Sequence, residues 1–288
     1  MTPPATKLRQ LLDAPGLISM PCCFDALSAR LVERAGFPLT FMSGFAVSAA
    51  RIGQPDTGLI SYGEMLDQGR DVCAAVSIPV IGDADTGYGN PLNVKRTVSG
   101  YAQAGFACAM IEDQAAPKRC GHTRGKQVVD REEAFDRIRA AVEARDDGAD
   151  ILIMARTDAR AAIGLEEALR RMQTFAEIGA DILFVEAPAA EEEMQRLCAE
   201  IPGHHMANMV EGGVSPILPP RRLEEIGYKI AAYPLTLLSA AVRAMNESLA
   251  AIRQGAAPER LLEFSELQKI VGFDAYDAEL ARFRDGAK

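Results

Sequence analysis

No stretch of this sequence is apolar for the roughly 18 residues a membrane helix requires, and the opening MTPPATKLRQ lacks the apolar core of a secretory signal. The expectation is a cytoplasmic protein with no membrane partner. Basic residues are outnumbered, 31 against 40 acidic ones, for a formal charge of −9 at pH 7. That balance repels phosphate backbones and argues against a nucleic-acid partner. There are three histidines, and the six cysteines (Cys22, Cys23, Cys73, Cys108, Cys120, Cys198) fall at irregular spacing. Neither a secreted disulfide framework nor a zinc finger follows from such a set. A Gly-x-Gly-x-x-Gly turn, a serine-rich linker and low-complexity sequence are also absent. Aromatic residues are sparse at 6%, but 48% hydrophobic and 25% charged residues describe an ordinary folded chain rather than a disordered one.

Eight short apolar runs stand out: LISMPCCFD from Leu17, PLTFMSG from Pro38, IPVIGDAD from Ile78, FACAMIED from Phe106, DILIMARTD from Asp150, DILFVEAP from Asp181, HHMANM from His204 and YKIAAYP from Tyr228. Their lengths suit buried parallel strands. Helical periodicity fills the gaps, as in DALSARLVERAGF, NVKRTVSGYAQAGF, DREEAFDRIRAAVEAR, LEEALRRMQTFAEIGA and SPILPPRRLEEIGY. Gly36, Gly105, Gly179 and Gly227 stand where a helix C-cap is needed before the next strand. Strands alternating with helices in this number predict a (β/α)8 TIM barrel, read as one domain over 1–288. Further helices are expected over Leu235 to Ile252 and Pro258 to Arg284, more than a minimal barrel needs.

In a parallel barrel the chemistry sits at the C-terminal strand ends. Here Asp83 and Asp85 close the third run, Glu112 and Asp113 the fourth, Arg156 and Asp158 the fifth, Glu186 the sixth and Asn208 the seventh. A lone residue of this kind is readily a cap or a satisfied buried group. Four acidic strand ends in one ring are harder to explain structurally, because like charges at close range are destabilising unless a cation or an arginine offsets them. Carboxylates with few histidines point to a hard ion, foremost Mg²⁺. Asp83 and Asp85 would share one face of a strand, the alternative being a capping cluster around TGYGN. In EDQAAPKRCGHTRGKQV, the residues Lys118, Arg119, His122, Arg124 and Lys126 crowd positive charge around Cys120, a setting that favours thiolate. Glycines on either side suggest a mobile loop over the barrel mouth; a solvated basic loop is the plainer alternative.

Taken in order, SGFAVSA, QPDTGLIS, GDADTGYGN, IEDQAAPKRCGH, ARTDA, Glu186 in EAP, NMVEGGVSP and YPLTLLSAAVRAMN resemble the isocitrate lyase and phosphoenolpyruvate mutase superfamily from about Leu17 to about Glu247. The KRCGH segment is similar to its lyase branch. That resemblance implies Mg²⁺-dependent (Mn²⁺ can substitute) cleavage of a 2-hydroxy dicarboxylate to a 2-keto acid and a second carboxylic acid. Asp85 would hold the metal, with Asp56, Asp83 and Glu112 acting mostly through its waters. Ser43, Gly44 and Phe45 match a backbone cradle for a carboxylate, Arg156 would neutralise charge on the cleaved centre, and Cys120 would protonate the departing enolate carbon. Glu112 and His122 also stand among the catalytic residues. Lys118, Arg119, Gly121, Glu186, Asn208 and Pro234 would bind and orient substrate.

Two departures from the branch bear on substrate. Phe41 stands where methylisocitrate and isocitrate lyases carry a tyrosine base, leaving Tyr88 or a metal-bound hydroxide as candidates. Leu267 or its neighbours replace an arginine that holds a third carboxylate. With Pro234 in place of a serine found in oxaloacetate hydrolases, a 2-alkylmalate such as 2,3-dimethylmalate is the favoured substrate. Methylisocitrate cleavage, oxaloacetate hydrolysis or decarboxylation, and phosphonate chemistry are the alternatives within the superfamily. A thiol-based sensor is the non-catalytic one. The family's helix swap implies a homotetramer, a dimer of helix-swapped dimers.

Overall fold

The computed structural model describes residues 2–121 and 125–285. Each of the eight apolar runs is a strand: β1 Ile18–Cys23, β2 Thr40–Met42, β3 Val80–Asp83, β4 Cys108–Glu112, β5 Leu152–Thr157, β6 Ile182–Val185, β7 His204–Asn208 and β8 Tyr228–Tyr233. They pair in parallel and in chain order, and β1 against β8 closes the barrel. The predicted (β/α)8 architecture is therefore the one observed. Its strands are buried on both faces, which is why they read as continuous apolar runs rather than alternating ones.

Period-two alternation sorts the side chains into two shells. Ile81, Met110, Met154, Phe184, Met206 and Ala232 belong to the cluster inside the barrel. Val80, Ala109, Ile111, Ile153, Ala155 and Leu183 pack outward against the helices. The N-terminal helix Pro4–Asp13 adds Ala5, Leu8 and Leu12 to the inner cluster beside Ile18, Leu39 and Leu152, which lie at or near the starts of their strands. Its apolar stripe covers the end of the barrel opposite the strand C-termini. Gly69 of helix Tyr62–Ala75 and Gly82 of β3 both lie against the Phe106 ring, where an added Cβ would stand 2.3 and 2.7 Å from ring carbons. Bare backbone lets helix and strand approach there.

The glycines expected to end helices do so: Gly36, Gly105, Gly179 and Gly227 have φ of 85, 99, 109 and 114°, the left-handed region that favours glycine. SPILPPRRLEEIGY is helical only over Pro220–Ile226, because Pro216, Pro219 and Pro220 hold the stretch before it out of a helix. The chain divides into two compact units, Met1–Leu238 and Ser239–Lys288. Helix Thr236–Arg253 has no buried residue, and the single stretch expected over 258–284 is two helices, Phe264–Val271 and Phe273–Asp285, broken at Gly272 with φ 97°. Among the described residues no helix is long and apolar enough to cross a membrane.

Candidate active site

The alternation that fills the barrel also aims its polar residues. Two residues beyond each inward apolar residue comes a site candidate: Phe41 leads to Ser43, Ile81 to Asp83, Met110 to Glu112, Met154 to Arg156, Phe184 to Glu186, Met206 to Asn208 and Ala232 to Pro234. Asp83 is tied down twice, its Oδ1 accepting from the Asp85 amide and its Oδ2 from the Gly44 amide, each at 3.0 Å. A Cβ on Gly44 would come within 2.5 Å of Asp83 Oδ2, so glycine is required for that approach. Asp85 is not on the strand face expected for it. It lies beyond β3 at φ 50°, a turn that lifts its carboxylate toward Asp56 and Lys118.

Lys118 is the surprise of the segment. Its side chain is 5% exposed, and Nζ sits 2.5 Å from Asp56 Oδ1 and 2.6 Å from Asp85 Oδ1. Burial would discharge the ammonium, but Asp85, Asp83, Glu112 and Asp56 outweigh it and hold the amine firmly protonated. Asp85 is nonetheless raised to about 6, by burial first and then by the neighbouring Asp83 and Asp56, which Lys118 only partly offsets. Glu112 is pushed well above the usual carboxylate range, again by burial, against the pull of Arg156 and Lys118. With Lys118 and Arg156 as the nearby cations, burial still keeps Asp85 and Glu112 raised.

These raised, buried carboxylates are the test of whether a divalent cation fits. Glu112 Oε1 is buried without a hydrogen-bond partner among the described residues, while Asp56 Oδ1 and Asp85 Oδ1 meet the Lys118 ammonium. The donors are all hard oxygens, which suits Mg²⁺. Among the described residues no three acidic, imidazole or thiol side chains converge as direct ligands of one ion. A single direct carboxylate, with the others acting through water, is compatible with that arrangement because Mg²⁺ keeps several waters. Lys118 brings its positive charge to the Asp56 and Asp85 carboxylates.

Arg156 is held on three sides. Its Nε lies 2.9 Å from Asp158 Oδ2 and 3.3 Å from Glu112 Oε2, and its Nη2 lies 3.2 Å from Glu186 Oε2. The guanidinium also rests 5.3 Å from the centre of the Phe184 ring. Asn208 Nδ2 donates to Glu186 Oε2 at 3.3 Å, so β5, β6 and β7 are linked at the mouth. A cavity of about 230 Å³ opens above, lined among others by Ser43, Phe45, Asp56, Asp83, Cys120, Gly121, Arg156, Glu186, Asn208 and Pro234. It is smaller than the roughly 300–1,000 Å³ of drug-sized pockets and matches a small acid.

The sequence-derived candidates do not all share one role. Arg119 is exposed, is not among the described residues lining the cavity, and its backbone is anchored to the Gln114 side chain. The amides of Ser43 and Gly44 already donate to the Cys23 carbonyl and to Asp83, so neither is available to cradle a carboxylate. Phe41 lines the cavity, whereas Tyr88 does not, and burial together with Tyr101, Asp85 and Asp83 keeps the Tyr88 phenol protonated far above its ordinary range. His122 and Arg124 lie outside the described residues. Two residues that were not assigned roles prove central: Asp158, which anchors Arg156, and Lys126, whose Nζ lies 2.6 Å from Asp158 Oδ1 and donates to the Gly121 carbonyl. Asp113, grouped with Glu112 in sequence, has the opposite parity and bonds outward to Arg171 at 3.1 Å.

Comparison with known proteins shows what the chain is similar to. Residues 8–253 match the family model of phosphoenolpyruvate phosphomutase. The chain is 42% identical over 274 residues to 2,3-dimethylmalate lyase of Eubacterium barkeri, covering 94% of each. A solved structure of oxaloacetate acetylhydrolase with 3,3-difluorooxalacetate superposes with a TM-score of 0.93 at 34% identity, over 99% of this chain and 98% of that one. Phosphonopyruvate hydrolase, solved with oxalate and Mg²⁺, superposes with a TM-score of 0.86 at 31% identity, over 98% and 99%.

Proposed function

The chain belongs to the phosphoenolpyruvate mutase and isocitrate lyase superfamily and is a carbon–carbon lyase, and from that premise we propose that it cleaves a 2-alkylmalate of the 2,3-dimethylmalate type. The observation that carries this reading is the balance of the cavity lining. Arg156 is the only cationic side chain among its described lining residues, while Phe41, Phe45, Phe184, Val210 and Leu235 supply apolar wall. Among the described lining residues a third carboxylate meets no second cation, and an alkyl group meets apolar surface.

Mg²⁺ at the Asp56, Asp83, Asp85 and Glu112 cluster would supply Lewis-acid polarisation of the 2-hydroxy carboxylate end of the substrate. The protein's own groups do the rest. Arg156, fixed by Asp158, Glu112 and Glu186, neutralises charge that develops as the bond between the hydroxyl-bearing carbon and its neighbour breaks. The hydroxyl gives up its proton to water, its oxygen electron pair forms the C=O of the 2-keto acid, and the bonding pair of the broken C–C bond stays with the neighbouring carbon as an enolate. Cys120 delivers its proton to that carbon, completing the second carboxylic acid. Apolar walls exclude water from the enolate.

Incubation with 2-alkylmalates, methylisocitrate and oxaloacetate in Mg²⁺, with 2-keto acid, glyoxylate and oxalate followed separately, tests the assignment. Pyruvate from 2,3-dimethylmalate, lost in EDTA and restored by Mg²⁺ or Mn²⁺, is expected. Oxalate from oxaloacetate as the main product, or full activity in chelator, overturns it. The assembly proposed with it is a homotetramer, a dimer of helix-swapped dimers. Its support is the apolar surface of the C-terminal unit, where Leu249, Ile252, Phe264, Phe273 and Phe283 are all more than half exposed. A monomer by light scattering at micromolar concentration would contradict it.

A further inference from the structure

We infer that Lys126 is a positioning residue: its buried ammonium fastens Gly121, and with it the adjoining Cys120, to the Asp158–Arg156 pair at the end of β5. The inference deepens the lyase reading, on which its catalytic consequence rests. Lysine is seldom buried unless it is paired, yet this side chain is 2% exposed. Its Nζ joins two groups that are far apart in the chain, the carbonyl of Gly121 and Oδ1 of Asp158. Each is a charge-assisted contact, stronger than a neutral hydrogen bond.

The anchor itself is rigid. Asp158 is fully buried and takes Arg156 Nε at 2.9 Å and Nη2 at 3.2 Å. Its amide donates to Asp113 Oδ1 at 2.9 Å, and Asp113 in turn is held by the Thr157 hydroxyl at 2.5 Å and Arg171 at 3.1 Å. Charge compensation of Asp158 alone would need no contact with Gly121. The close seating of Gly121 is an independent sign of docking: a Cβ there would lie 2.3 Å from Glu186 Oε2 and 2.5 Å from Arg156 Nη2. Lys126 thus sets where Cys120 stands relative to Arg156, the two groups that act on the same bond.

Hydrogen exchange by mass spectrometry on the full chain, without substrate, compares the parent with Lys126→Met and Lys126→Arg. In Lys126→Met the amides of residues 118–121 should exchange roughly 10- to 100-fold faster, the range set by losing one charged hydrogen bond, with peptides of β1 to β3 unchanged. Lys126→Arg should restore most of the protection. On an alkylmalate, kcat of Lys126→Met should fall by a similar factor with KM nearly constant, because Arg156 keeps its bond to Asp158. Unchanged exchange at 118–121 overturns the inference, and so does a defect confined to KM, which would mark Lys126 as tuning Arg156 alone. Should Lys126→Met lose protection throughout the barrel, Lys126→Gln read in the same way decides. The exchange result needs no turnover, so it separates failure of this clasp from failure of the lyase assignment.

Discussion

Gly121→Ala adds one methyl group at a crowded point of the cavity lining. The new Cβ would stand 2.3 Å from Glu186 Oε2 and 2.5 Å from Arg156 Nη2, whereas comfortable contacts lie near 3.5 Å. About 1 Å of relief must therefore come from one side or the other. Glu186 is 1% exposed and paired with Arg156, which Asp158 and Glu112 hold from behind. The Cys120–Gly121 backbone, tied to this network through Lys126, must therefore shift away from the Glu186–Arg156 pair. Displacing a reacting group by about 1 Å lowers rates by roughly 10²-fold, so kcat should drop by about that factor while Mg²⁺ affinity holds. Gly121 is outside the left-handed region, so alanine introduces no backbone strain there. Gly125→Ala is the matched control: φ is 78° and no described residue lies within 4 Å of its Cβ. It should lower stability by about 1–2 kcal/mol through strain and leave kcat within a few-fold. Continuous release of 2-keto acid and thermal melts measure both. Parent-like kcat in Gly121→Ala, or equal losses in the two variants, would refute the crowding argument.

Cys120→Ser should retain Mg²⁺ and substrate binding by calorimetry and lose ~10²–10⁴ in turnover, since serine is nearly isosteric but far less acidic; turnover at the parent rate would sink the protonation step. Glu167 offers a pH test remote from the cavity. Hydrogen bonds from Arg131 first, and then from Arg171, hold its carboxyl down at about 2, against an ordinary 4.5. The folded chain therefore binds fewer protons than the unfolded one in that interval, and the stabilisation is complete above about 4.5 and lost as pH falls toward 2. Urea midpoints should decline less between those pH values in Glu167→Gln than in the parent; parallel declines would remove Glu167 from the acid response.

Much of this architecture is legible from residue order because the code involved is local. Continuous apolar runs announce buried parallel strands, left-handed glycines mark where helices stop, and alternation in a strand predicts that Asp83, Glu112, Arg156 and Glu186 face one space. What residue order does not reveal depends on how loops close. Asp85 reaches its neighbours through a turn at φ 50° rather than along a strand face. Lys118 and Lys126 look alike in sequence, two cations beside a cysteine. Their partners, Asp56 and Asp85 for one and Asp158 for the other, lie in other βα units. Glu112 and Asp113 are adjacent acids whose opposite parity gives one to Arg156 inside the barrel and the other to Arg171 on the surrounding helix. The clustering of charge was readable, but the pairing was not.

The wall of the cavity is unevenly divided around the barrel. Carboxylates, Arg156 and Cys120 come from β2 to β6 and the segments after them, while the side built by β7, β8 and their succeeding loops is dominated by Met206, Val210, Ala232, Pro234 and Leu235. Bond making and breaking is thus entrusted to one arc, and the shape of whatever enters to the other. Substitutions on the second arc can retune substrate choice in small steps without disturbing a single charge. A barrel partitioned in this way has room to diversify in what it accepts while its chemistry stays still.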